Sequence, residues 1–353
     1  MNRRWKPLLR TLGIALGVVA AVAGVKWTGV AAIHQALSQV GVNIAWMFVA
    51  YAAGTAVGAI PWRKLLPYEA RPSWGATVTS RFAASGINAL LPFFGLGEAS
   101  RLLWLQRGER SPGLAALVVD RLLFLAAGMP ILVIAALAAT RVPAVPHSYL
   151  LAVLISAGII SVAVASVAIA AARGRLVGKL RWALVLFGVP PTAGAANGAA
   201  PVPVPVDGGA SAEKPAKPVE PVVDPIDSGL HALLTGSRAP LAGGFALHVC
   251  ARLLLAAEIY AGLQILGVRV GVLGTLIFIA IPVGLSVIGT FVPGQIGLQE
   301  GASALVAAAL GIGPATGIAL VFLQRLRQLV FVPLAGLLIA LVPYGPRTSD
   351  PPG

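Results

Sequence analysis

"LLPFFGLGEASRLLWLQRGER", residues 90–110, sets a proline, two closely spaced glycines (Gly95 and Gly97), Glu98 and Arg101 among Leu, Phe and Trp. Proline and glycine interrupt a helix, and a carboxylate in apolar surroundings needs a partner or water. The reading of this stretch depends on its flanks, which are apolar for most of the chain. Hydrophobic residues make up 58% of the sequence and charged ones 11%, with a mean hydropathy of +0.88. A soluble domain carries roughly a quarter charged residues. Runs of about 20 apolar residues recur, each long enough to cross a bilayer. The class is therefore an all-α polytopic membrane protein, and 90–110 is a broken segment inside it.

The net charge of +14 fits this class. Its basic residues gather in short loops between apolar runs, as cytoplasmic loops require. Nucleic acid is accordingly not an expected partner; anionic headgroups are. Cys250 is the single cysteine, and the four histidines have no metal-ligand spacing. No metal or cofactor is expected.

Along the chain, basic "MNRRWKPLLR" precedes an apolar run from Leu12 to Val25, read as an uncleaved first span with a cytoplasmic N-terminus. Further spans are expected at 43–61, 114–139, 149–172, 241–266, 272–292 and 314–342, about six to eight in all. Residues 77–92 are apolar but carry Arg81, Ser85 and Asn88, and basic loops flank them on both sides. That pattern predicts a re-entrant pair, which survives at membrane depth only when buried in protein or wet. The expected division is a first membrane half at 1–182, a Pro/Ala/Gly-rich, disordered cytoplasmic linker at 183–238, a second half at 239–343 and a disordered tail at 344–353. Gly13-x-x-x-Gly17 and Gly54-x-x-x-Gly58 fit close helix packing, though matches by chance are common in so glycine-rich a chain.

The two halves resemble each other. Pro92 precedes Gly95, Gly97 and Glu98, then a helix with Asp120 and Arg121; Pro293 precedes Gly294, Gly297 and Glu300, then a helix with Arg325 and Arg327. Proline to glutamate is six residues in one and seven in the other, and glutamate to arginine is 23 and 25. The expectation is a degenerate repeat with helix breakers Pro92, Gly95, Gly97, Pro293, Gly294 and Gly297. Such interrupted segments at matching positions mark transporter-type sites near the midplane. Glu98 and Glu300 would sit near helix starts, where a carboxylate is favoured. Asp120, Arg121 and Arg325 would lie below the headgroups.

Two readings of these residues stay open. One is a pair of structural salt bridges, Glu98 to Arg121 and Glu300 to Arg325. The other is a polar headgroup site of Glu98, Asp120, Arg121, Glu300, Arg325 and Gln328, with Arg81, Asn88, Gln299, His248 and Arg252 lining the same cavity. Arg325 is preferred over Arg327, which points elsewhere on the helix. Glu258, further along the His248 helix, would line the cavity too. Arg101, Arg107 and Arg110 read as the cytoplasmic exit. No P-loop, nucleophile elbow or HExxH occurs.

"NALLPFFGLGEASRLLWLQRG" with "VVDRLLF", and "FVPGQIGLQEGASALVAAALGI" with "LQRLRQL" and "PLAGLLIAL", resemble the two blocks of the flippase-like integral membrane family, the transmembrane region of lysylphosphatidylglycerol synthase. The "VPGxxGxQEG" form is most similar to the branch associated with hopanoid biosynthesis. The resemblance implies a protein of the cytoplasmic membrane that moves or handles lipids. About eleven residues follow Val342, so the synthase domain of the best-known members is not expected, nor is enzymatic activity. The leading expectation is translocation of a phospholipid, hopanoid or polyprenyl lipid. The alternative is a non-transporting scaffold for a separate lipid-modifying enzyme. A less favoured one is an intramembrane enzyme with Glu300 as general base.

Overall fold

The computed structural model describes residues 44–90, 96–106, 109–143, 145–173, 225–288 and 298–341, and the regular elements among them are all helical. Helices α1 (Ile44–Val57) and α2 (Ile60–Leu65) run on as one 22-residue span. Pro61 opens α2, where its missing N–H costs nothing. After a short 3-10 turn at Tyr68–Ala70 come α3 (Trp74–Leu90) and the five-residue α4 (Leu96–Ser100), which tightens into a 3-10 turn over Arg101–Trp104. A 30-residue span follows, made of α5 (Arg110–Ala126) and α6 (Gly128–Ala139), and then α7 (His147–Ala172). The second half comprises α8 (Pro225–Thr235), α9 (Arg238–Ile265), α10 (Val272–Ile288), α11 (Leu298–Ala309) and α12 (Pro314–Leu341).

Five of these segments are long and apolar enough to cross a bilayer: Ile44–Leu65, Arg110–Ala139, His147–Ala172, Arg238–Ile265 and Pro314–Ile339; Val272–Gly284 is a shorter apolar helix. The expected multi-pass, all-α class is met. The run Leu12–Val25, most of the linker, the tail, and the breakers Pro92, Gly95, Pro293, Gly294 and Gly297 lie outside the described residues.

One expectation needs correction. The end of the segment read as linker, 225–235, is helix α8, with Ile226 and Leu230 buried against α5. Ile226, Leu230, Leu233 and Leu234 recur at i, i+4, i+7 and i+8, one face of a helix. The proline-rich run before them hid that periodicity.

Two helices end by the same local chemistry. Gly267 and Gly311 have φ of +74° and +72°, a conformation only glycine adopts without cost. After each, a residue donates back across the turn, Val268 N–H to the Leu263 carbonyl and Ile312 N–H to the Ala307 carbonyl, both at 3.0 Å. These bonds satisfy carbonyls that the helix end leaves open. Pro314 then starts α12 directly.

The two halves interleave. Helix α1 packs along α9, α3 along α12, and α6 along α10. Gly54 of the second GxxxG pairing allows the α1–α9 approach, because a Cβ there would stand 3.2 Å from the Ala251 carbonyl. The largest apolar core joins α6, α7, α9, α10, α11 and α12 around Ile131, Leu132, Leu263 and Phe278. Tyr149 pins α7 to α10 by donating to the Ile277 carbonyl at 2.7 Å.

Candidate functional site

Ionisable side chains from both halves meet between α3, α4, α5 and α9. Asp120 is the eleventh residue of its span and His248 the eleventh of Arg238–Ile265. Each therefore lies about 15 Å from its helix start, at 1.5 Å per residue. Ionisable groups at that depth are costly unless paired.

Here they are paired in a chain. Arg81 on α3 donates Nη1 to both oxygens of Glu98, at 2.7 and 2.8 Å. Arg101 gives its own Nη1 to Glu98 Oε2 at 3.3 Å and to Asp120 Oδ2 at 3.1 Å. His248 Nε2 lies 2.9 Å from Asp120 Oδ1. A carboxylate only accepts, so Nε2 is the donor in this contact, and Nδ1 of the ring is buried without a partner among the described residues. Arg101 is fully buried, and its guanidinium stacks 4.4 Å above the Trp62 ring.

Phe124 lies beside this chain. The guanidinium carbons of Arg252, Arg121 and Arg81 stand 4.1, 4.9 and 6.0 Å from its ring centroid. His248 meets the same ring edge-on at 5.6 Å. Arg252 also donates Nη2 and Nε to the Phe124 carbonyl, at 2.8 and 3.3 Å. Gly128 lies close against α10, since a Cβ there would come within 2.9 Å of Val283 Cγ1.

Close helix packing sets the Arg81–Glu98 distance. A Cβ on Gly97 would lie 2.1 Å from the Ala84 carbonyl oxygen, and the Gly97 N–H donates to Asn88 Oδ1 at 3.0 Å. Thus Gly97, expected as a helix breaker, is a contact residue. Helix α4 is too short to develop a useful dipole, so arginines rather than a helix end stabilise Glu98.

The anticipated residues fall into two places. Glu98, Asp120, Arg121, Arg81, Asn88, His248 and Arg252 gather at the first. Glu300 and Arg325 pair at a second, between α11 and α12, with Arg325 Nε donating to Glu300 Oε1 at 2.8 Å. Gln299 and Gln328 are half-buried beside them in sequence. The expected Glu98–Arg121 bridge is not the one formed: Glu98 pairs with Arg81 and Arg101, and Arg121 turns its charge onto Phe124. Arg101, expected at the cytoplasmic exit, is instead the centre of the network. Glu258 leaves the His248 group to pair with Arg327, which stacks 3.8 Å over Tyr51. Sequence reasoning missed Phe124, Trp62 and Arg101; for Arg101 the i+3 spacing from Glu98 was the available signal.

A family model described as "Lysylphosphatidylglycerol synthase TM region" matches residues 11–336. The chain belongs to that family. Membership in the lysylphosphatidylglycerol synthase transmembrane-region family agrees with the multi-pass helices and places the protein among membrane proteins of lipid handling. No curated protein and no solved structure matches the chain. The match spans both halves of the chain, and so takes in every residue of the two ion-paired clusters.

Proposed function

We propose that this protein translocates a lipid of phospholipid, hopanoid or polyprenyl type across the cytoplasmic (inner) membrane, with its N-terminus in the cytoplasm. The headgroup passes beside the Arg81–Glu98–Arg101–Asp120–His248 chain. The observation that carries this reading is the position of that chain: four elements drawn from both halves converge on linked charges about 15 Å into the α5 and α9 spans. Charge held at such depth marks substrate paths in membrane proteins. The protein acts without catalysis of its own. Both carboxylates of the chain are held by arginine, so neither stands free as a general base.

Reconstitution tests this. In liposomes carrying a headgroup- or tail-labelled lipid in each class, the wild type should render inner-leaflet label accessible to an external quencher faster than empty liposomes do. Glu98→Gln should slow this by about tenfold or more, because it removes a charge-assisted pair. Movement of no class above the empty-liposome rate, with Glu98→Gln and Glu300→Gln both tolerated in cells, would replace translocation with the scaffold role. Co-purification of a lipid-modifying enzyme would support that replacement.

A further inference from the structure

The charges at the site do not balance. Four arginines (Arg81, Arg101, Arg121 and Arg252) face two carboxylates, Glu98 and Asp120. Each of the two acids is already engaged, Glu98 by two arginines and Asp120 by Arg101 and His248. The other acids on neighbouring helices are taken as well, Glu258 by Arg327 and Glu300 by Arg325. An ammonium group entering here would find no uncommitted carboxylate among these four.

Two of the arginines remain uncommitted. Arg252 is only 2% exposed, yet among the described residues its hydrogen bonds go to a single neutral acceptor, the Phe124 carbonyl. Arg121 is exposed, and its contact is the face of the Phe124 ring. Neither has a carboxylate within ion-pair distance among the described residues. A buried guanidinium without a counter-charge is expensive, and a bound anion removes that cost. Both guanidinium carbons lie within 5 Å of one ring centroid, at 4.9 and 4.1 Å, so their forks can converge on one group. A planar carboxylate satisfies one such fork; a tetrahedral phosphate offers oxygens to two.

We propose that Arg121 and Arg252, both held against the Phe124 ring, form a phosphate-binding site that favours net-negative headgroups over those carrying an ammonium group. This rests on the lipid-handling reading only for the source of the phosphate. The ligand is a phosphate group, on a lipid or free in solution.

Binding is measured on the purified full-length protein in detergent micelles by native mass spectrometry. The probes are phosphatidylglycerol, phosphatidylcholine and diacylglycerol offered in equal amounts, with inorganic phosphate as competitor. The wild type should retain phosphatidylglycerol about tenfold over phosphatidylcholine, and diacylglycerol least, tenfold being a modest difference in binding free energy. R121Q should abolish most of that preference, and R121K should keep part of it. Because Arg121 is exposed, R121Q is expected to fold; R252Q, with thermal melting as a check, should act in the same direction. Displacement of phosphatidylglycerol by inorganic phosphate, lost in R121Q, supports the site and makes free phosphate a ligand. Lack of displacement with the same Arg121 dependence supports it with the lipid as the source. Equal retention of all three lipids, or a preference that survives R121Q and a folded R252Q, overturns the proposal. A wild type that selects phosphatidylglycerol yet moves no lipid would sink the translocation reading alone.

Discussion

Arg101 shows how one side chain holds the site together. Its Nη1 serves two carboxylates, its face covers Trp62, and Nε and Nη2 are buried without partners among the described residues. A buried guanidinium with two idle nitrogens is costly, and the stack on Trp62 together with two anions offsets that cost. Replacing it with leucine leaves Asp120 with His248 alone. Arg101→Leu should therefore destabilise the protein by about 3–5 kcal/mol, the range for breaking a buried pair. Arg101→Lys should fall between, keeping charge and losing the stack. Thermal melting of the purified variants in detergent checks both, and a leucine variant that melts with the wild type would remove Arg101 from the centre. The acids of this network were legible in the sequence because carboxylates stand out in apolar spans. Arg101 was not, since it heads a run of arginines (101, 107, 110) that looks like a cytoplasmic loop. Only the 3-10 turn at 101–104 carries it inward, and nothing in composition announces that turn.

At the scale of elements, glycine does two different jobs that sequence pattern cannot separate. Gly267 and Gly311 end helices through a positive φ. Gly97 and Gly317 let helices touch: a Cβ would stand 2.1 Å from the Ala84 carbonyl oxygen at the first and 2.1 Å from the Ser303 carbonyl oxygen at the second. A backbone oxygen cannot yield as a flexible side chain can, so a methyl group at either place must move a helix. Gly97→Ala should push α4 off α3, lengthen the Arg81–Glu98 pair and cost about 1–3 kcal/mol, the usual penalty of overpacking. Lipid movement should fall with it. Gly75→Ala, where nothing lies within 4 Å of the added methyl, is the control and should melt and transport as the wild type. Equal behaviour of the two variants would mean that α4 adjusts freely and does not set the site. The Pro/Gly pattern thus located the right residue at Gly97, with a different physical reason from the one it suggested.

Across the whole molecule, the sequence repeat and the packing tell separate stories. The matched spacings place Glu98 and Glu300 third in their helices, yet the first bonds backwards to Arg81 and the second forwards to Arg325. The halves are not independent lobes either. Helices α1, α3 and α6 each find their main partner in the second half, and His248 and Arg252 of α9 complete a site otherwise built from the first. Spans could be read from apolar length alone, but pairing between distant spans leaves no local trace in sequence. A chain divided within 190–220 gives the test. Co-expressed as two fragments, with a tag on the first only, the halves should co-purify and retain phosphatidylglycerol as the intact protein does. The first fragment alone should aggregate or be degraded, because three helix faces lose their partners and Asp120 loses His248, keeping Arg101 alone; weakening a buried charged network in this way is destabilising. His248→Ala in the second fragment should weaken the assembled pair further, since it removes the bond to Asp120. A first fragment that purifies monodisperse and melts with the intact protein would show that the halves are autonomous and that the site does not depend on their interleaving.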